Sequence, residues 1–222
     1  LRIAYVTWSS DVCSSDLYQA GFQCAQVGES SQHISLRISS QVLPVLVFLS
    51  FVQAKCTEQE RVPLWSALLV DKPIEDPWLV VVDFNTIISA EEKRGGLPFR
   101  VDEGVELRSF MSEAGVFDAG FSGSCFTWYN NRGGRARIWK RLDRLLCSPP
   151  VALMGMNFGV RHLGREPSDH APLLLSASTR LDNKPRSFRF LNVWAAFDSD
   201  NSQQQWLALQ EARAVMRQSL VK

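Results

Sequence analysis

The sequence predicts an α+β domain, and three observations carry that reading. Ile34, Leu36 and Ile38 alternate with polar residues in HISLRIS, the period-two signature of a half-buried strand. The run PWLVVV before Asp83 is apolar throughout, as in a strand buried on both faces. Between them, Thr57–Leu69 opens with a Thr-x-x-Glu capping pattern and places Val62, Trp65, Leu68 and Leu69 at helical spacing. The chain has 222 residues, 45% hydrophobic and 21% charged, which suits one well-cored globular domain with a tail. With 24 basic and 23 acidic residues it has no global pull toward nucleic acid or membrane, so any such preference must come from local clustering.

The N-terminus lacks a basic region followed by a long apolar one, so it does not read as a secretory signal. Residues 8–17 read WSSDVCSSDL, the translation of TGGAGTTCAGACGTGTGCTCTTCCGATCT, a DNA string that resembles a widely used sequencing adapter. Residues 1–17 are therefore read as adapter-derived, residues 18–180 as the domain, and residues 181–222 as a linker and helix.

Gln41–Val52 continues HISLRIS as a second, more buried strand, making a hairpin. Its VLPVLVFLSFV core is too short to cross a bilayer and contains Pro44 and Ser50. The buried strand ending at Asp83, Phe84 and Asn85 follows the capped helix. Val105, Phe110 and Met111 suit a second helix that Gly115 ends. CFTWYNNRGGRARIWKRLDRLLC reads as two β segments around an Asn/Gly turn, the second passing through Ile138, Leu142, Leu145 and Leu146. SDHAPLLLSAS is a further strand, a break follows at Asp182–Pro185, and Ser202–Val221 is expected to be a helix outside the core. Five cysteines without metal spacing favour reduced thiols.

Three constellations could carry chemistry. Asp169-His170 sets a carboxylate that can bind a cation beside an imidazole that titrates near neutrality, or it is a polar turn before a strand. Asp83 and Asn85 at the mouth of an apolar strand could hold a water and a phosphate oxygen, or form an Asx turn. Asn131–Arg144 holds six basic residues and one acid, interleaved with Trp139 and next to Trp128. It reads as a solvated face or a nucleic-acid surface of Trp128, Asn130, Arg137, Trp139, Lys140 and Arg141. Asp143, the lone acid there, is a counter-ion or the residue that orients an imidazole.

Taken in order, FVQAKCTEQERVPLW, PWLVVVDFNTI with EEKRGG, GFSGSCFTWYNN, RIWKRLDRLLCS and SDHAPLLL resemble the endonuclease/exonuclease/phosphatase superfamily. More narrowly they resemble the endonuclease domain of plant LINE-type retrotransposons, over about Gln32–Leu175, with FRFLNVW similar to the segment leading toward a reverse transcriptase. The resemblance implies a four-layer α/β/β/α sandwich with its site at one edge, Mg²⁺ or Mn²⁺ as cofactor, DNA as partner and substrate, and no obligate protein partner. It implies that Asp83 and Asn85 position the attacking water and the scissile phosphate, and that Asp169, with Asp83, holds the metal. His170 would meet the phosphate, oriented by Asp143. A polyprotein acting on chromosomal DNA implies a nuclear site of action.

The chain departs from the family pattern at four points. Val82 stands where the family has Gly before the catalytic Asp, and Gln53 where it has a phosphate-binding Tyr. Upstream of Gln32 neither the Asn nor the metal-binding Glu expected by resemblance stands in its setting. The expectation is a truncated endonuclease domain that is inactive as this fragment.

Overall fold

The computed structural model describes residues 2–6, 22–41, 43–164 and 168–179. The adapter-like residues 8–17 and everything from 180 onward, including the helix expected over 202–221, lie outside the described residues. In chain order the elements are β1 (Arg2–Val6), β2 (Gln23–Ser30), β3 (His33–Ser39), β4 (Val47–Gln53), α1 (Glu58–Asp71) and β5 (Trp78–Asp83). Then come β6 (Lys93–Arg94), α2 (Val105–Ala114), β7 (Phe117–Asp118), β8 (Ser122–Gly123), β9 (Trp128–Tyr129) and β10 (Trp139–Lys140). The last are β11 (Asp143–Cys147), α3 (Pro149–Leu153), β12 (Met156–His162) and β13 (Leu173–Thr179).

They form a six-stranded sheet in the order β2-β3-β4-β5-β11-β7, a four-stranded sheet β1-β13-β12-β8, and a small sheet β6-β10-β9. The sequence-predicted hairpin is β3 and β4, antiparallel with Leu36 opposite Leu49. β4 and β5 run parallel, joined through α1. Thr57 caps α1 as its motif predicts: its side chain accepts from the Glu60 N–H, and the Glu60 carboxylate accepts from the Thr57 N–H. Gly115 ends α2 in the left-handed region at φ 68°, its N–H returning to the Met111 carbonyl.

Alternation along the central strands makes two cores. Leu36, Ile38, Leu49, Phe51, Leu79, Val81 and Leu145 meet Val160, Leu173 and Leu175 of the four-stranded sheet. The opposite face, with Val52, Trp78, Val80 and Leu146, is covered by Leu64, Trp65 and Leu68 of α1 and Leu107 and Phe110 of α2. This is an α+β sandwich of sheet on sheet with helices outside. The outer helix layer that a four-layer arrangement places beyond the smaller sheet is not among the described residues. β1, inside the stretch read as adapter-derived, pairs antiparallel with β13, so Arg2–Val6 has a strand position at that sheet's edge.

Candidate active site

The site forms where β5 ends. Asp83, its last residue, stands opposite Asp143, the first residue of β11, because the two central strands pair antiparallel in that register. Asp143 is only 3% exposed. Its backbone N–H, and that of Leu142, donate to the buried Thr127 Oγ1 at 3.1 and 3.0 Å. His170 arrives from the loop before β13 through a single antiparallel bridge to Trp128, flanked by Tyr129 N–H to the Asp169 carbonyl and Ala171 N–H to the Thr127 carbonyl. Two strand ends and one bridge thus bring residues 83, 143 and 170 together.

The imidazole lies between the two carboxylates. His170 Nδ1 is 3.0 Å from Asp143 Oδ2, and Nε2 is 4.0 Å from Asp83 Oδ2. One ligand-capable atom from each of Asp83, Asp143 and His170 falls within 4.8 Å of the others, a group that could hold a metal ion. Burial, then the charge of Asp143, push Asp83 up to about 7. Burial alone would lower His170, but the hydrogen bond to Asp143 and the charges of Asp143, Asp83 and Asp169 outweigh it and raise it to about 8.

Asp83 also closes an Asx turn, its Oδ1 accepting from the Asn85 N–H at 2.8 Å. Asn85 takes φ 50° in that turn, and its Nδ2 donates to the Ala54 carbonyl at 3.1 Å and points to Cys56 Sγ at 3.5 Å. Asp169 lies close enough for its charge to act on both Asp83 and His170. Its Oδ2 accepts from Trp128 Nε1 at 3.0 Å, and it is not in the three-residue metal-capable group. Gln53, in the Tyr position of the resemblance, stands in register with Asp83 on β4.

Val82 has φ 95°, a left-handed value that is an outlier for a β-branched residue. It packs with Val81 in the inter-sheet core and not with Trp78 and Val80, so strand alternation breaks one residue before Asp83.

The basic stretch does not make one surface. Arg141 is 7% exposed and ion-paired to Glu92 at 3.0 Å and Asp118 at 2.8 Å, so its charge is spent inside the fold. Arg144 is fully buried on the same two acids, beside Glu92 at 2.9 Å and Asp118 at 3.4 Å. These pairs flank Asp143 on both sides in sequence and hold β11 to the Glu92 turn and β7. Asn130 works within its own loop, accepting from Ile138 N–H at 3.0 Å and donating to the Ala136 carbonyl at 2.8 Å. Trp139 stacks on Tyr129 at 4.8 Å, with the Arg137 guanidinium 5.8 Å from its ring centre. Lys140 is half-buried. Thr127, Glu92 and Asp118 went unnoticed in the sequence, where nothing marks a threonine between two aromatics or two acids 26 positions apart as parts of one site.

No protein-family model and no curated protein matches the chain. Solved structures do. The endonuclease domain of TRAS1, a telomere-specific non-LTR retrotransposon, aligns with TM-score 0.50 at 11% identity, covering 71% of this chain and 68% of that one. The 3′ phosphatase NExo from Neisseria, bound to product DNA hairpin, gives TM-score 0.51 at 15% identity over 78% and 86%. The AP endonuclease LMAP from Leishmania major gives 0.51 at 12% over 69% and 60%. The chain has the endonuclease/exonuclease/phosphatase fold.

Proposed function

We propose that the Asp83–His170–Asp143 centre is a phosphodiester-hydrolysing site for DNA, assisted by Mg²⁺ or Mn²⁺, in a fragment of a retrotransposon polyprotein that acts in the nucleus. One observation carries the chemistry: an imidazole raised to about 8 is held between the buried carboxylate of Asp143 and the partly buried one of Asp83, both at strand ends. As imidazolium, His170 keeps Nδ1–H on Asp143 and presents Nε2–H to a phosphate oxygen, where it stabilises developing charge. Asp83, at the end of β5 beside the imidazole, positions the attacking water and accepts its proton. Asn85 holds Asp83 Oδ1 through its backbone, and one side-chain N–H faces only a thiol, a weak acceptor that a phosphate oxygen displaces.

The donor set suits a divalent cation in charge. Burial first, and then the charge of Asp143, lift Asp83, and a bound cation would offset both. Asp83 and Asp169 would hold it beside the His170–Asp143 pair, and it would supply Lewis-acid polarisation of the phosphate. Two carboxylates are an ordinary Mg²⁺ set, waters and substrate phosphate completing the shell. Without the upstream Asn and Glu of the resemblance, metal affinity falls, and the 222-residue chain is expected to be inactive alone.

The alternative is a non-catalytic remnant that at most binds nucleic acid, and Val82 at φ 95° is the observation that favours it. A phosphatase is the third reading. The substrate class is tested on the chain with its upstream region restored from an intact relative, offered supercoiled plasmid and p-nitrophenyl phosphate with millimolar Mg²⁺ or Mn²⁺. Nicking without phosphomonoester turnover is expected. The reverse pattern would assign a phosphatase, and neither would assign the remnant.

A further inference from the structure

We propose that Lys140 holds a nucleic-acid phosphate one to three nucleotides from the one His170 faces, so that the site takes a polynucleotide and not an isolated phosphate ester. This rests on the phosphodiester reading above and adds the residue that measures substrate length.

The small sheet sets out the geometry. Lys93 on β6 is paired with Lys140 on β10, Lys140 with Trp128 on β9, and Trp128 with His170. Side chains of residues directly opposite in antiparallel pairs stand on the same face. Lys93, Lys140, Trp128 and His170 therefore form one row, and the row ends in the active centre. The Trp128 ring obeys this placement, since its Nε1 bonds Asp169 beside His170. The other pairs, Trp139 with Arg94 and with Tyr129, stand on the opposite face. Of the aromatic and basic stretch, Trp128 and Lys140 share the site's side.

Strands lie about 4.8 Å apart, so two strand spacings put Lys140 about 10 Å from His170. Backbone charges recur every ~3.4 Å of axis along one strand of duplex, which makes that separation one to three nucleotides after allowance for the lysine's reach. Lys140 is also short of anionic partners. Lys93 reaches Glu103 at 3.4 Å, whereas among the described residues Lys140 has no carboxylate within salt-bridge distance. Two lysines directly opposite repel, Glu103 offsets part of that repulsion, and a further anion between them removes the rest. Burial, and then Lys93, hold Lys140 below the usual lysine range, with Glu103 acting the other way. The bland reading is a lysine whose stem covers Trp128 while its ammonium reaches water.

The test measures binding by the full 222-residue chain in EDTA, by fluorescence anisotropy, to labelled single-stranded oligonucleotides of one to six nucleotides and to a 16-base-pair duplex across a NaCl series. Affinity should step up at least fivefold between the mononucleotide and the tetranucleotide. Lys140→Met should remove that step and reduce the duplex salt slope by about 1, while Lys140→Arg keeps both. Thermal melts check that the variants fold. If Lys140→Met melts early, the length series on the unaltered chain decides, and a flat series overturns the proposal. Unchanged step and slope in a folded Lys140→Met protein overturn the role of Lys140 alone, leaving the hydrolytic centre to its own assay. No binding of any DNA by the unaltered chain overturns both.

Discussion

The His170 ring donates from Nδ1 to Asp143 Oδ2 across 3.0 Å, and Asp143 is nearly as buried as the core around it. A buried acceptor that fixes one ring nitrogen leaves the other aimed at Asp83. Asp143→Asn should therefore lower His170 from about 8 by about one unit or more, because its hydrogen bond and charge are what overcome desolvation. A proton NMR titration of the His170 ring reads this directly. An unchanged midpoint would mean that Asp143 does not control the imidazole.

In metal-free solution the centre should make the protein less stable as pH rises. The folded Asp83 holds a proton up to about 7 that the unfolded chain releases near 3.8, so stability is lost across that window. His170 acts in the same direction: its contribution is complete below 6.5 and lost as pH rises through about 8. Asp83→Asn removes the first effect and should stabilise the protein above pH 7 by roughly 1–2 kcal/mol. Denaturant unfolding at pH 5 and pH 8.5 would show the larger gain at the higher pH.

Val82→Gly should change stability by less than about 1 kcal/mol, because relief of roughly 1–3 kcal/mol of backbone strain offsets lost burial. Val81→Gly, fully buried on the same strand and outside the left-handed region, should cost about 2–4 kcal/mol. Urea midpoints of the two variants would compare them. Equal losses would show that Val82 is unstrained.

Glu92 is shared by two buried arginines, receiving Arg141 at 3.0 Å and Arg144 at 3.0 and 2.9 Å. Glu92→Ala leaves the Arg144 guanidinium with Asp118 as its one ion-pair partner among the described residues and should destabilise by about 3–5 kcal/mol. A loss under 1 kcal/mol, measured by chemical unfolding, would contradict that structural role.

Much of this centre was legible because its residues stand where local rules are strong. The Thr57 capping box, the alternation of β3 and the apolar run of β5 each bury their own pattern, and Asp83 marks where that burial ends. β2 was missed because it is an edge strand with mostly exposed side chains, and so carries no apolar period. By contrast, MNFGVRH in β12 alternates Met156, Phe158 and Val160 with Asn157, Gly159 and Arg161, so that strand was legible and was missed. The basic stretch misled in part because a run of charges does not reveal which way each strand residue faces. Arg141 and Arg144 point inward to acids distant in sequence, while Lys140 and Trp139 take opposite faces of a two-residue strand.

The most direct test of the proposed hydrolytic centre is nicking of supercoiled plasmid by the chain with its upstream region restored from an intact relative, compared with its His170→Ala counterpart and with excess EDTA. Losing the imidazole proposed to meet the phosphate should slow nicking at least roughly 10²-fold, and EDTA should abolish it, while the 222-residue chain alone is expected to show none. Nicking by His170→Ala at the unaltered rate, or undiminished nicking in EDTA, would contradict the assignment.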